Sequence, residues 1–572
     1  MLANKPNDEK LKVVLYWHMH QPEYRDLLTG VYQQPWTYLH TIKDYIDMAM
    51  HLEAHPQARV VVNFTPILLE QIEDYANQVI NYLSNETPMR DPLLSALAYP
   101  TISTDYSQRI KIINWCSRAH EKHVIQRFPA YHRLIKISEE LGENPQVVAY
   151  LTDQYISDLL VWYHLGWLAE HVRRSDLRIK RLLKKEHSYD DHDRYELITV
   201  IGELLTSTIP RYRVLTESKQ IELSTTPYAH PMIPLLVDLN CALEATPDVP
   251  MPEHNKYPGG EARARWHIEK SIEMFTHHFG FAPDGCWPSE GGISTAACQL
   301  FQEYGFKWIA SGAGVYSNSV ENNHSSKESN QNLFEHLPNR LPNQDIVCFF
   351  RDDRLSDLIG FEYSSWHADD AIANLIHNLK EVANEDSKHP NTILSIILDG
   401  ENAWEHYPEN GYYFLNALYK NLANHPDIEL TTYSDYLADK NTQIQVLPKL
   451  VAGSWVYGNF STWIGSEDKN RGWEMLCEAK QCYDDVVNSG DLSADLLNRA
   501  MHQLAICEGS DWFWWFGDYN STETVSDFEK LYRYHLSNLY ELLDITPPEY
   551  LASSFTFGNG APEGGGSMRK SG

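Results

Sequence analysis

Six apolar runs, each followed by polar residues, constrain the fold of this 572-residue chain most strongly. The runs are apolar almost throughout instead of alternating with polar residues, which is typical of strands buried on both faces of a parallel sheet. The six runs are Val13–Trp17, Val60–Phe64, Ile221–Ser224, Lys307–Ser311, Ile346–Arg351 and Ile393–Leu398. Helical segments between the runs would cover such a sheet, so the pattern predicts an α/β fold.

The polar residues that follow these runs predict where a functional site lies. In a parallel barrel the catalytic groups sit at the carboxyl ends of the strands, which all meet at one face. The residues at the predicted ends include His18, His20, Asn63, Thr225, Thr226 and Asp399. Because several separate strands agree, we expect one shared site there.

Helical periodicity is clearest in two regions outside the predicted strands. The first is a predicted helical insertion over the barrel rim at about residues 105–220, with apolar residues at helical spacing in Arg109–Leu141 and Asp153–Arg174. The second begins near residue 445, and its clearest helices are Leu492–Ile506 and Thr524–Leu543.

This periodicity predicts the organisation of the whole chain. We predict a catalytic barrel over residues 1–440, a helical subdomain over 441–550 that completes the active site, and a disordered Gly-rich tail over 551–572. The polar segment Ser317–Gln331 is predicted to be an exposed loop.

Composition argues against nucleic acid and membrane partners. The chain has 47 basic and 78 acidic residues and a net charge of −31, which repels phosphate backbones and anionic lipid. No stretch approaches the roughly 18 apolar residues of a membrane span, and the N-terminus lacks the apolar segment of a secretory signal. The eight cysteines form no CxxC pair and are typical of reduced thiols. We therefore expect a cytoplasmic protein.

Two histidines end the first predicted strand, in the stretch VVLYWHMHQPEYRD. Their spacing of two places the imidazoles of His18 and His20 on the same side of the strand end. From these residues alone, three interpretations stay open. The pair could ligate a metal, contact a substrate, or form a structural pair bonded to its neighbours.

Two further motifs place carboxylates at strand ends or tight turns. Glu290 lies in the Gly-rich turn GCWPSEGGIS, and Asp399 ends the apolar run of ILSIILDGENAWEHYPENG. Burial at the end of an apolar strand raises a carboxyl pKa, which suits Asp399 as a general acid. Helix capping is the structural alternative for each residue, and Glu401 and Glu405 compete with Asp399 for the role.

Together these features indicate glycoside hydrolysis. The chain combines two carboxylates and two histidines with 16 Trp and 34 Tyr, and aromatic rings stack on the apolar faces of sugars. The sequence contains no Ser or Cys nucleophile elbow and no phosphate-binding GxxxxGK[ST] or GxGxxG motif.

On these motifs the sequence resembles glycoside hydrolase family 57, in its amylopullulanase and α-amylase-like branch. The HQP of WHMHQP matches the first family motif, NFTPILLEQIEDY the second, CWPSEGG the third, ILDGENAWEHY the fourth and GNFSTWIGSEDKNRGW the fifth. The resemblance covers most of residues 11–545. It implies an incomplete (β/α)7 barrel with a helical insertion and a C-terminal helical subdomain.

The resemblance also implies roles for individual residues. Glu290 matches the family's nucleophile and Asp399 its general acid/base in a retaining reaction, so we expect Glu290 to be ionised and Asp399 to hold a proton. His18 and His20 would line the sugar-binding site without a metal. The other implied substrate contacts are Glu70, for which Glu73 is the competing choice, and Trp287, Trp404 and Trp463.

The implied function is hydrolysis of α-1,4 links in starch, glycogen, pullulan or maltodextrin, with α-1,6 links left open. No cofactor or metal is implied. Within the family the alternative is a 4-α-glucanotransferase or a branching enzyme. From another class, a metal-dependent hydrolase or deacetylase would use His18 and His20 with further ligands among His230, His267 and His406. A non-catalytic glucan-binding relative would have no use for the carboxylate pair.

Overall fold

The computed structural model describes residues 10–99, 101–141, 145–324, 334–385, 391–490 and 492–560. All of its named strands join one sheet. The strands are β1 (Leu11–Met19), β2 (Val60–Phe64), β3 (Ile221–Thr225), β4 (Gly285–Cys286), β5 (Trp308–Gly312), β6 (Asn339–Arg340), β7 (Val347–Arg351), β8 (Ile393–Asp399), β9 (Ile428–Leu430) and β10 (Gln445–Val446). The six predicted runs correspond to β1, β2, β3, β5, β7 and β8.

Seven of these strands close into a parallel barrel. Their order is β7-β5-β4-β3-β2-β1-β8, and β8 pairs back onto β7. The strand β9 pairs with the start of β1, whereas β6 and β10 extend the sheet beyond β7. The register sets His18 of β1 beside Asn63 of β2 and Asp399 of β8. The predicted seven-stranded barrel with added helices is confirmed.

The α-helices cover the barrel and fill the two regions of helical periodicity. They are α1 (Trp36–His40), α2 (Ile46–Ala54), α3 (Pro66–Asn85), α4 (Pro92–Ala98), α5 (Tyr106–Cys116), α6 (Pro129–Leu141), α7 (Asp153–Gly166), α8 (Glu170–Ser175), α9 (Leu177–Lys185), α10 (Asp191–Glu217), α11 (Ile233–Val237), α12 (Ala242–Ala245), α13 (Gly260–Phe279), α14 (Thr295–Glu303), α15 (Ala313–His324), α16 (Asp353–Asp357), α17 (Ala368–Glu385), α18 (Tyr412–Ala423), α19 (Tyr433–Ala438), α20 (Glu467–Ser489), α21 (Ala494–Cys507), α22 (Ser510–Trp515) and α23 (Thr522–Leu542).

The structure corrects two predictions about loops. The first part of the predicted loop Ser317–Gln331 is the end of α15, and residues 325–331 lie outside the described part of the chain. In the predicted tail, residues 551–560 contact the helices: Leu551 is buried, and the Thr556 hydroxyl donates to Asp468 over 2.7 Å. Residues 561–572 of the tail lie outside the described residues. The apolar spacing of the two predicted helical regions is accommodated by several shorter helices.

The hydrophobic core has separate parts inside and outside the barrel. Inside, the rings of Tyr16, Trp287, Trp308 and Tyr433 contact one another and fill the space between the strands. Outside, the helices of residues 67–205 share one apolar cluster with helices of residues 460–551. Since side chains fill the barrel interior, a ligand must bind at one of its ends. Within the described residues, no helix is both long and apolar enough to cross a bilayer.

Candidate active site

A cavity of about 1030 Å³ opens at the carboxyl ends of the barrel strands. Its floor carries the side chains from the strand ends and the turns beside them, which are His18, His20, His230, Glu290, Asp399 and Glu401. Its walls are aromatic, and they comprise Tyr24, Trp36, Trp167, Trp455, Trp514, Trp515 and Phe528. Its rim is polar, and it includes residues 118–123, Glu405 and His406. The cavity therefore combines carboxylates with aromatic faces, as sugar-binding sites do.

Glu290 is held in a tight turn after β4. Its φ of 59° lies in the left-handed region, which costs a non-glycine residue about 1–3 kcal/mol. Two side chains from distant parts of the chain donate to its carboxylate: the Ser510 hydroxyl to Oε1 over 2.9 Å and the Trp455 indole to Oε2 over 3.2 Å. The Trp455 backbone N–H also donates to the Glu290 carbonyl over 3.0 Å. These contacts fix the carboxylate in a conformation that the local sequence disfavours.

Two glycines let the loop that carries Trp455 lie against the barrel. A Cβ atom on Gly312, the last residue of β5, would come within 2.5 Å of the Trp455 Cα. A Cβ atom on Gly314 would come within 2.8 Å of the Gly458 backbone nitrogen. Such distances are far inside van der Waals contact, so side chains at these positions would displace the loop and the indole that bonds Glu290.

Asp399 ends β8 directly beside His18. The Asn402 amide donates to its Oδ2 over 2.8 Å. Two residues further on, Glu401 is buried, and burial raises its pKa well above the usual range. The Gln21 amide donates to Glu401 Oε1 over 3.5 Å, and Oε2 has no partner among the described residues. Burial therefore favours the uncharged form of Glu401, which lines the cavity beside Asp399.

Burial raises the pKa of both central carboxyl groups. The pKa of Asp399 rises to about 6, as predicted for a general acid. The pKa of Glu290 rises to about 8, mainly through burial and then through the nearby charge of Asp511. This differs from the expectation that Glu290 is held ionised, because burial outweighs the two donors. Between pH 6 and pH 8 the pair therefore keeps one proton, and the order of the two pKa values places it on Glu290 instead of on Asp399 as expected.

Three imidazoles stack beside the carboxylates. The ring centroids of His18 and His230 are 5.3 Å apart, and those of His20 and His230 are 3.9 Å apart. Burial lowers the pKa of His18 to about 3 and that of His230 well below 6.5, so both are neutral. The hydroxyl of Thr226 donates to Asn63 Oδ1, which accepts from His18 Nδ1 at 2.6 Å. The proton of His18 is thus on Nδ1, and Nε2 is free to accept a hydrogen bond.

The start of α22 completes the site from the C-terminal helices. Asp511 Oδ1 lies 2.7 Å from His20 Nε2, and the Ser510 hydroxyl lies 2.8 Å from His230 Nδ1. The Ser510 backbone N–H donates to the His230 carbonyl over 2.9 Å, which fixes α22 to the loop after β3. Asp511 brings a further carboxylate to the cavity and raises the pKa of both Glu290 and Asp399.

The structure brings together four of the predicted site residues, namely His18, His20, Glu290 and Asp399, and corrects the other four. Trp287 and Trp463 are 0% exposed and Trp404 is 1% exposed, and none of them lines the cavity. A ring buried on both faces has no surface for a sugar, so these three tryptophans belong to the core. Glu70 lies outside the cavity and accepts a 2.7 Å hydrogen bond from the Tyr228 hydroxyl. Glu73 is exposed on α3 and also lies outside the cavity.

Sequence reasoning missed the aromatic walls and the acid from α22. The stretch GSDWFWW, residues 509–515, supplies Ser510, Asp511, Trp514 and Trp515 to the site. The available signal was an aspartate directly before four aromatic residues, a composition that is typical of sugar-binding sites. Trp36 and Trp167 have no comparable signal, because each stands alone in its segment.

The possible metal ligands at the cavity differ from those predicted for a metal-dependent hydrolase. His20, His230 and Asp511 can bring one ligand atom each within 4.8 Å of one another. His267 lies elsewhere, with its Nε2 2.7 Å from Glu508, and His406 is on the cavity rim. Of the predicted histidines, His20 and His230 are therefore the pair that a metal at this site would need.

Comparisons with known proteins agree with this architecture. The sequence profile described as glycosyl hydrolase family 57 matches residues 14–448. A search of curated proteins found no match. Among solved structures, a GH57 branching enzyme from Thermococcus kodakaraensis superposes with a TM-score of 0.57 at 13% identity, covering 93% of this chain and 90% of the other.

Two further solved structures share the fold. The α-amylase AmyC from Thermotoga maritima gives a TM-score of 0.55 at 12% identity, covering 95% of this chain and 94% of the other. A 4-α-glucanotransferase from Thermococcus litoralis gives 0.50 at 12% identity, covering 93% of this chain and 60% of the other. Since the family profile matches well over half of the sequence, the chain belongs to glycosyl hydrolase family 57 and is an enzyme of the glycoside hydrolase type.

Proposed function

We propose that the chain acts on α-glucans by a retaining mechanism, with Glu290 as the nucleophile and Asp399 as the general acid/base. The observation that carries this proposal is that both carboxyl groups line one aromatic-walled cavity at the barrel mouth. Structures with the same fold belong to a branching enzyme, an α-amylase and a 4-α-glucanotransferase, which supports an α-glucan as the substrate.

The proposed reaction has two steps. Asp399 gives its proton to the glycosidic oxygen while the Glu290 carboxylate attacks the anomeric carbon, forming a glycosyl-enzyme. Asp399 then takes a proton from the acceptor hydroxyl, which attacks the anomeric carbon and releases Glu290. The pair keeps one proton near neutral pH, which the order of the two pKa values places on Glu290 in the ligand-free site. The first step uses the form in which this proton is on Asp399 and Glu290 is the carboxylate.

The neighbouring groups assist this chemistry without taking part in bond exchange. The donors Ser510 and Trp455 favour the ionised form of Glu290. Trp514 and Trp515 line the cavity and supply aromatic surface for the sugar chain.

As acceptor we propose water, so that the enzyme hydrolyses α-1,4 links in starch, glycogen or maltodextrin; α-1,6 hydrolysis and transfer to another glucan are the alternatives. Product analysis separates the three. Hydrolysis of maltoheptaose yields shorter maltodextrins and a matching rise in reducing ends. Longer products without that rise would instead identify a transferase, and maltotriose released from pullulan would identify α-1,6 cleavage.

The two roles are tested by azide rescue of Glu290→Ala and Asp399→Ala on an activated α-glucosyl fluoride. In a retaining enzyme, azide replaces the nucleophile of the first variant and gives the β-azide. In the second variant azide attacks the glycosyl-enzyme and gives the α-azide. Glu405→Ala on the rim is the control and should keep the wild-type products. An α-azide from Glu290→Ala and a β-azide from Asp399→Ala would show that the two roles are exchanged. If both variants are folded and azide rescues neither, the mechanism is rejected.

A further inference from the structure

A second group of metal-ligating side chains lies outside the cavity. Asp47 and His51 stand one turn apart on α2, and His171 follows the first residue of α8. These three side chains can bring one ligand atom each within 4.8 Å of one another. None of them lines the active-site cavity, and none has a role in the proposed reaction.

His51 is a buried histidine whose ring nitrogens are not accounted for by hydrogen bonds. The side chain is 0% exposed, and within the described part of the chain neither ring nitrogen has a partner that meets hydrogen-bond geometry. A neutral imidazole always carries one N–H, and a buried N–H without an acceptor is unfavourable because its bond to water is lost and not replaced. Burial lowers the pKa of His51 to about 3, although the charge of Asp47 and the nearby Asn416 side chain act in the opposite direction.

Asp47 and His171 already face each other across the two helices. Asp47 Oδ1 lies 2.7 Å from His171 Nδ1, and the carboxylate also accepts the backbone N–H groups of Glu170 and His171 over 3.1 Å each. These bonds account for Asp47 and His171 without any ion. They also hold both side chains against His51, whose ring centroid is 4.4 Å from that of His171.

We propose that Asp47, His51 and His171 bind a divalent ion of the Zn²⁺ class. Two imidazoles and one carboxylate form a donor set that Zn²⁺ accepts in tetrahedral sites, with water in the fourth position. His171 ligates through Nδ1 with its ring proton on Nε2. Its side chain is 19% exposed, so an ion can enter from that side.

The ion has a structural role in this arrangement. It joins α2, which follows the first barrel strand, to α8 of the helical region. It also converts His51 from an unpartnered buried group into a ligand. Because it binds only the folded chain, it stabilises that state by an amount that grows with the free ion concentration.

The test uses the full-length protein, stripped with a chelator and then titrated with Zn²⁺ alone. We expect one ion per chain in a site removed by His171→Gln, with binding weakened about 100-fold or more. Zn²⁺ should raise the melting temperature of the wild type and leave that of His171→Gln unchanged. Co²⁺ at the same site should show the visible absorption of a four-coordinate ion in the wild type only.

Three controls separate this site from its competitors. His55→Gln changes a histidine on the same helix region that lies outside the proposed set. His277→Gln disrupts the group of Glu73, His277 and His278, and Asp511→Asn disrupts the group of His20, His230 and Asp511. All three controls should retain the ion and its stabilisation. Binding that is abolished by Asp511→Asn or His277→Gln instead, or a folded wild type that takes up no Zn²⁺, would overturn the proposal.

Discussion

At the scale of single residues, the electrostatic neighbours of Glu290 predict a pH profile. With pKa values of about 6 for Asp399 and about 8 for Glu290, the singly protonated pair exists between these limits. We therefore expect kcat/KM on maltoheptaose to be bell-shaped. It should fall below about pH 6, where both groups are protonated, and above about pH 8, where both are ionised.

Two variants at the start of α22 should shift the alkaline side of the kcat/KM profile in opposite directions. Asp511→Asn removes a negative charge that raises the pKa of Glu290, so the limb should shift to lower pH. Ser510→Ala removes a hydrogen bond that lowers this pKa, so the limb should shift to higher pH. Profiles of kcat/KM for both variants provide the measurement. Shifts in the same direction would show that the limb belongs to another group.

The core position of Trp287 predicts a loss of stability instead of a loss of binding. Its ring contacts Tyr16 inside the barrel and Trp455 of the cavity wall, with centroids 5.7 and 5.2 Å away. Trp287→Ala should cost about 3–5 kcal/mol in the free energy of unfolding, as for other large core residues. The exposed Trp366 is a control for removing an indole, and its alanine variant should cost less than 1 kcal/mol. Urea denaturation gives the free energy of unfolding of both variants. A Trp287→Ala variant that keeps its stability but has a raised KM would show that Trp287 stacks on the sugar after all.

The sequence predicted residues at the ends of apolar runs and failed at their neighbours. His18 and Asp399 end strands whose pattern fixes where they emerge from the barrel. Trp287 and Trp404 stand close to Glu290 and Asp399 in sequence, but a turn lies between each tryptophan and its carboxylate, so nearness in sequence does not fix where the ring points. Trp287 consequently turns inward, and the Trp404 indole donates back to the Gly400 carbonyl over 2.8 Å.

At the scale of secondary-structure elements, a buried ion pair joins α13 to α21. Arg263 makes three hydrogen bonds of 2.8–3.0 Å to the carboxylate of Glu508, and His267 Nε2 lies 2.7 Å from it. Burial alone would raise the pKa of Glu508, but the charge of Arg263 and the bond to His267 lower it to about 2. Since this folded-state pKa is below the unfolded value, its stabilisation is present above about pH 4.5 and is lost towards pH 2.

Glu508→Gln should therefore destabilise the fold by about 3–5 kcal/mol at pH 7, because Arg263 is left buried without its charge partner. The variant should also lose stability less steeply than the wild type between pH 4.5 and pH 2. Glu273→Gln on α13 is the matched control, since its ion pair with Lys270 is exposed and should contribute less than 1 kcal/mol. Equal unfolding free energies for the two variants would show that the buried pair contributes nothing.

The elements that sequence reasoning found are those with a long, regular pattern. Long apolar strands such as β8 were predicted within a residue or two. The strand β4 has only two residues, so no periodicity can reveal it; it takes its place through the register between β3 and β5. The part of α15 that begins at Ser317 was predicted as a loop because its polar residues hide the few apolar ones that pack on the core, such as Val320.

At the scale of the whole molecule, the candidate site joins parts of the chain that are far apart in sequence. The Glu290 carboxylate accepts from Ser510, which is 220 residues away, and His20 pairs with Asp511, which is 491 residues away. Contacts of this length leave no trace in local periodicity, which is why the barrel was predictable and the aromatic walls were not.

The shared site predicts how ligand binding affects the molecule. In the inactive Glu290→Gln variant, maltoheptaose should slow amide hydrogen exchange in β8 and, to a similar degree, in α22 and at the start of α23, because the cavity has walls from all three. Cellohexaose, with β-links, is the control ligand and should protect neither region. Protection of the barrel alone would show that residues 510–528 form no part of the glucan site. Protection of both regions by cellohexaose would show that the cavity does not select α-glucans.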